Sequence, residues 1–254
     1  MAYHLWGDIM FLVLRKRTIL FAATAVTSAI AVSLLGWHFS VPKAAVPTFL
    51  PQASPTVIVI DPGHGGEDGG AVSESGVMES NINLAVSLQL QDLFRLCGIP
   101  TRMTRTEDIS IGDHSLSTIR ARKASDIRAR VAMVDETEGA LLISIHQNSL
   151  PSSLETHGAQ VFWNQQIGAY MLAKTMQKVL NGSINTHRAK EAKKIDSSIY
   201  LMNHTQSPAV LVECGFLSNR EEAELLQTKR HQIRLAVSIA AGYLRHVSGG
   251  EESA

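Results

Sequence analysis

Cysteine is almost missing from this chain: Cys97 and Cys214 are the two in 254 residues. A chain so poor in thiols is not a disulfide-dense scaffold, and spacing alone leaves open whether the two pair or stay free. Both stand where buried elements are expected to end. Net charge is missing too, because 23 Lys and Arg balance 23 Asp and Glu. That balance gives no sign of a nucleic-acid binder, which normally carries a basic excess. No internal repeat is present, which excludes a repeat architecture. Charge-free apolar runs long enough for a membrane are lacking from all but one stretch near the amino terminus.

That stretch is Thr18 to Phe39, 22 residues without Asp, Glu, Lys or Arg, directly after Arg15-Lys16-Arg17. As a helix at ~1.5 Å per residue it reaches about 33 Å, enough to cross a hydrocarbon core. The basic cluster predicts that residues 1–17 are a cytoplasmic leader, 18–39 an uncleaved single-pass anchor, and the remainder extracytoplasmic. A cleavable signal peptide is the alternative, with Ala44-Ala45 as its nearest site, but Lys43 stands where a small residue is wanted. Pro42, Pro47, Pro51 and Pro55 keep residues 40–55 extended as a linker. A catalytic domain is expected over 56–248, and a disordered tail over 249–254.

The domain is organised around Val57-Ile58-Val59-Ile60-Asp61-Pro62-Gly63-His64-Gly65-Gly66. Four β-favouring apolar residues read as a buried strand, and the glycine-rich turn stops it with His64 at its carboxyl end. Glu79 opens a helix with Ile82, Val86, Leu90 and Leu93 at helical spacing, ended by Cys97-Gly98. Further strands are expected at 99–104, 140–145, 159–163 and 208–212. Further helices are expected at 118–134, 168–180 and 222–247. In the second helix Arg120, Arg122, Lys123, Arg128 and Arg130 read as a solvated face. Strands alternating with helices predict an α/β fold, a mostly parallel twisted sheet with helices on both faces, preceded by the transmembrane helix.

Three buried strands thus end in His64, His146 and Glu213, on the rim where open parallel sheets place their sites. Glu79 stands at the far end of the loop that leaves His64. Two imidazoles and one carboxylate make a three-ligand zinc site with a fourth position open to water. A second carboxylate nearby serves as general base. Each residue alone has a plainer explanation: Glu79 as a helix-start carboxylate, His146 as a strand-end polar group. Glu213 is harder to explain so, because it follows Ala-Val-Leu-Val into an apolar setting and needs a proton, a metal or a donor there.

These four ordered motifs, ending in Val212-Glu213-Cys214-Gly215-Phe216-Leu217-Ser218-Asn219, resemble the zinc-dependent N-acetylmuramoyl-L-alanine amidases over about Val57 to Val247. The resemblance implies one Zn²⁺ per chain held by His64, Glu79 and His146, with Glu213 as catalytic carboxylate. It also implies the substrate, the peptidoglycan amide joining the lactyl group of N-acetylmuramic acid to L-alanine. The single anchor and the lack of a wall-binding repeat resemble the germination-associated branch of spore-formers. That implies a part in muramic-δ-lactam formation beside a peptidoglycan deacetylase, possible help from an accessory lipoprotein or activator, and a place at the cell membrane or in the forespore intermembrane space. Gln147 departs from the family pattern, which has a small residue there, and is expected to bear on substrate access.

Asp61 either orients His64 or merely forms the turn before Pro62-Gly63. The basic stretch His187 to Lys194 either meets stem-peptide carboxylates or stays solvated. Rival readings are a zinc exopeptidase, a non-catalytic wall-binding module of the same fold, and a thiol hydrolase using Cys214 with His146.

Overall fold

In a computed structural model, residues 56–249 are described. The expected leader, anchor and linker, and residues 250–254 of the expected tail, lie outside the described residues. Among the described residues no helix is long and apolar enough to cross a membrane. In chain order the elements are β1 (Val57–Pro62), α1 (Glu79–Leu96), β2 (Thr101–Met103), α2 (Ile119–Asp135), β3 (Ala140–Asn148) and β4 (Gln160–Trp163). There follow α3 (Ala169–Ser183), β5 (Lys193–Lys194), α4 (Tyr200–His204), β6 (Ala209–Phe216), α5 (Arg220–Leu226) and α6 (Lys229–Val247).

The strands are apolar on both sides because both sides are covered. Ile58, Ile60, Ile143, Ile145, Val210 and Val212 face one core with α1, α3 and α6. The alternate residues Val59, Leu142, Ala209 and Leu211 face a second core with α2 and α4. This is the period-two pattern of a strand buried twice. Phe94, Leu90, Leu172 and Leu180 are almost fully buried in the larger core; each such side chain stabilises the fold by ~1.5–3 kcal/mol.

The expected mostly parallel sheet is a mixed one, ordered β2-β1-β3-β6-β4-β5. Strands β2, β1, β3 and β6 run parallel, whereas β4 pairs antiparallel with β6 and β5 follows β4. Residues 149–159 between β3 and β4 hold no helix. Without a crossover the chain leaves β3 at the carboxyl rim and re-enters the sheet from that same rim, so β4 runs back.

Two local expectations are also corrected, and the cysteine state that spacing left open is resolved. The single closing helix is two, α5 and α6, because Thr228 breaks it and caps α6 by accepting from the His231 amide. Cys97 is exposed at the end of α1 while Cys214 is buried, and both are free thiols. Arg130 does not belong to a solvated face: it is 1 % exposed, in the interior beneath β1.

One buried group makes stability depend on pH. His231 is 4 % exposed and neither ring nitrogen has a hydrogen-bond partner. Burial, helped by nearby Arg234, pushes it down to about 4 from an ordinary 6.5. Between those values the unfolded chain binds a proton that the folded chain refuses, so stability is intact above about 6.5 and is lost as pH falls towards about 4. At ~1.4 kcal/mol per pH unit the loss is about 3 kcal/mol at most. Chemical denaturation of the wild type and His231→Leu at pH 7 and pH 4 is expected to show the variant gaining by that order on acidification. An unchanged difference would show that His231 titrates normally.

Candidate active site

β1 delivers His64 through a turn that only particular residues tolerate. His64 has φ 62, the one non-glycine residue in the left-handed region among the described residues. At Gly63 a Cβ would lie 2.3 Å from the His146 ring. At Gly70, with φ 67, it would lie 2.6 Å from Glu79 Oε2 and 2.7 Å from the His64 ring. Glycine is therefore required at both for the loop to close around the two imidazoles and the acid.

Glu79 is the first residue of α1, yet it is not a bare helix-start carboxylate: it is buried and points back at the rim. Its Oε1 accepts from the Gln147 amide at 3.0 Å and from Asn83 Nδ2 at 3.2 Å, and lies 2.9 Å from His146 Nδ1. Its Oε2 accepts from the Ala71 amide at 2.9 Å and lies 3.3 Å from His64 Nε2. Burial opposes its ionisation, but the two imidazoles outweigh that and hold the carboxyl well below the usual range.

His146 and Glu213 are register partners on adjacent parallel strands, so their side chains leave the same face of the sheet. The rings of His64 and His146 meet edge to face with centroids 5.0 Å apart. One potential ligand atom from each of His64, Glu79 and His146 falls within 4.8 Å of the others. They could hold a metal ion, and they are the one grouping of three or more such residues among the described residues. Glu213 Oε2 is shielded from solvent and has no hydrogen-bond partner among the protein atoms. Burial, with Glu79 adding to it, raises the Glu213 carboxyl to about 7 against the pull of His146, His64 and Lys190.

The residues around this cluster correct several expectations. Asp61 does not orient His64: its carboxylate takes Thr104 Oγ1, Ser144 Oγ and Arg130. Burial works against its charge, yet Arg130 and the two hydroxyls hold it at about 2. The group that orients His64 is Asp68, whose Oδ2 accepts from Nδ1 at 2.9 Å while Lys123 sits 2.6 Å from Oδ1. With Nδ1–H taken, Nε2 is the lone-pair atom aimed at the cluster. Asp68 was detectable as an acid one loop turn from His64, facing the basic pair Arg122-Lys123 that also holds Glu67.

Gln147 does not reach a substrate path. It is buried, and its Nε2 donates to Asn83 Oδ1, so it steadies the residue that steadies Glu79. In the basic stretch Lys190 is neither solvated nor free: its Nζ donates to the Gly158 carbonyl at 2.6 Å and lies 4.5 Å above the Phe216 ring. Cys214 is fully buried, and burial pushes its thiol well above the ordinary range, so it offers no thiolate nucleophile.

Two imidazoles and a carboxylate at the carboxyl rim of an α/β sheet, with Glu213 Oε2 unpartnered on the next strand, are an arrangement suited to metal-assisted hydrolysis. The sequence profile of the N-acetylmuramoyl-L-alanine amidase family matches residues 58–245. The chain belongs to that family. It is 35 % identical over 213 residues to the germination-specific N-acetylmuramoyl-L-alanine amidase of Bacillus subtilis, covering 84 % of this chain and 88 % of that one. Among solved structures it is similar to the CwlD amidase of Clostridioides difficile in complex with the GerS lipoprotein, with TM-score 0.73 and 31 % identity over 76 % of this chain and 99 % of that one. It is also similar to the catalytic domain of CwlV, an amidase of Bacillus (Paenibacillus) polymyxa, with TM-score 0.64 and 27 % identity over 76 % of this chain and 98 % of that one.

Proposed function

We propose that the chain is a zinc amidase that cleaves the bond between the lactyl carbonyl of N-acetylmuramic acid and L-alanine, in the formation of cortex muramic-δ-lactam. The observation carrying this is the convergence of three ligand atoms within 4.8 Å beside a shielded, unpartnered Glu213 oxygen. The donor set fits zinc, which takes imidazole nitrogen and carboxylate oxygen and keeps one position open in catalytic sites. His64, Glu79 and His146 would hold the ion, and Zn²⁺ there would supply a water acidified to near neutrality and a Lewis acid for the carbonyl.

The protein's own groups do the rest. Asp68 keeps the proton of His64 on Nδ1, so Nε2 stays free to face the site. Asn83, the Gln147 amide and the Ala71 amide fix the Glu79 carboxylate from three sides. Glu213 takes the proton of the attacking water as the carbon–oxygen bond forms, and returns it to the alanine nitrogen as the carbon–nitrogen bond breaks. A carboxyl raised towards 7 by burial is matched to taking a proton and giving it back at neutral pH.

The cortex role draws on the germination-specific relative and on CwlD, and a partnership with a peptidoglycan deacetylase goes with it. An accessory lipoprotein is proposed by the same likeness, since CwlD is in complex with GerS. Anchoring by residues 18–39, with the domain on the outer side of the membrane, rests on the apolar run and its basic flank.

Purified chain incubated with defined peptidoglycan is expected to release intact stem peptides with a free alanine amine, detected by mass spectrometry. A chelator is expected to stop that release, and added Zn²⁺ to restore it. Shortened stems still joined to sugar would instead identify a peptidase.

A further inference from the structure

We propose that Arg130 is a positioning residue for metal binding: its guanidinium holds the His64 carbonyl and thereby sets where that imidazole stands. The inference rests on the metal reading of the site given above.

A non-glycine residue in the left-handed region is strained and persists only where its surroundings leave no alternative. At His64 those surroundings are two buried guanidinium groups. Arg105 donates to the carbonyls of Pro62, Gly63 and Ser80 at 3.0, 3.1 and 2.9 Å. Arg130 donates to the carbonyl of Pro62 at 2.8 Å and to that of His64 at 2.7 Å. The carbonyls of residues 62, 63 and 64 are therefore all engaged, and Arg130 is the one that reaches His64 itself.

The clamp is fixed at its other end. Arg130 Nε donates to Asp126 on its own helix at 2.7 Å, and Nη1 donates to Asp61 on β1 at 2.6 Å. Asp61 is in turn tied to β3 through Ser144 at 2.7 Å. A line of bonds thus runs from the strand that carries His146, through β1 and α2, to the backbone of His64. Only a planar fork with five donors meets acceptors in these directions; an ammonium on a flexible stem keeps the charge and loses the fork. With the His64 carbonyl released, the turn relaxes towards an ordinary φ and carries the ring out of line with Glu79 and His146.

The test is Zn²⁺ affinity of the full-length chain, by competition with a chromophoric chelator well below the melting temperature. In Arg130→Lys the dissociation constant is expected to rise about 10–100-fold, as for other losses of groups that orient a metal ligand. Asp126→Asn, which loosens Arg130 without stranding a charge in the core, is expected to raise it less and serves if Arg130→Lys fails to fold. Val134→Ala weakens the same helix without touching the loop and is expected to leave affinity unchanged. Unchanged affinity in a folded Arg130→Lys, or in Asp126→Asn where it stands in, would overturn the proposal, as would an equal loss in Val134→Ala. A wild-type chain that takes no Zn²⁺ would overturn the metal reading as well, whereas a wild type that binds beside an indifferent Arg130 variant overturns this inference alone.

Discussion

Replacing Glu213 by glutamine is expected to lower the rate of amide cleavage by ~10²–10⁴-fold, about 3–5 kcal/mol of transition-state stabilisation, while zinc content stays as in the wild type. The substitution keeps the size of the side chain and removes only its ability to accept a proton. Glu213 is not part of the three-residue cluster, so nothing that holds the ion is lost. Melting temperature is expected to stay level or rise. The wild-type carboxyl has an oxygen buried without a partner, a burden that a neutral amide reduces. Such a combination, loss of turnover without loss of metal or stability, marks a group kept for chemistry rather than for the fold. Activity within tenfold of wild type, or a loss of zinc with it, would remove Glu213 from the catalytic role.

Glu79→Gln is expected to do the opposite: zinc binding goes first, and activity with it. The carboxylate is the one negative ligand between two imidazoles, and each of its oxygens is already aimed by backbone amides and Asn83. An amide in its place offers one oxygen instead of two, and its NH₂ faces either the Ala71 amide and His64 or the Gln147 amide, Asn83 and His146, so the shell that orients it turns partly repulsive. Losing a ligand should exceed the roughly 10–100-fold that follows loss of an outer partner. The measurement is zinc per chain after dialysis, with far-ultraviolet circular dichroism to show that the fold persists. Full zinc occupancy in a folded Glu79→Gln would mean that the ligands lie elsewhere.

The meeting of His64, His146 and Glu213 at one rim was legible in the sequence because each carries a local mark. Buried apolar runs announce β1, β3 and β6, and glycine turns or abrupt polar residues announce where His64, His146 and Glu213 leave them. Parallel strands then bring those ends together whatever the intervening sequence. Strand direction at the sheet's other edge carried no such mark: alternation is the same for a parallel and an antiparallel strand, so β4 looked like another parallel member. The interior place of Arg130 leaves no mark in the sequence for a related reason. An arginine among arginines on a helix looks solvated until its partners are known, and Asp61 stands 69 residues away in sequence. Between orienting His64 and forming the turn, proximity in sequence could not choose for Asp61, whose carboxylate turns to Thr104, Ser144 and Arg130. Gln147 sits beside His146, but strand pleating sends it to the opposite side, towards Asn83.

The proposed function requires His64, Glu79 and His146 to share one hydrolytic ion next to Glu213. Anomalous scattering at the zinc edge from crystals of the zinc-loaded chain tests it most directly. One strong peak bound by those three side chains, with Glu213 facing its open position, is the predicted result. A peak at other residues, or no peak in a chain that still cleaves peptidoglycan, would contradict it.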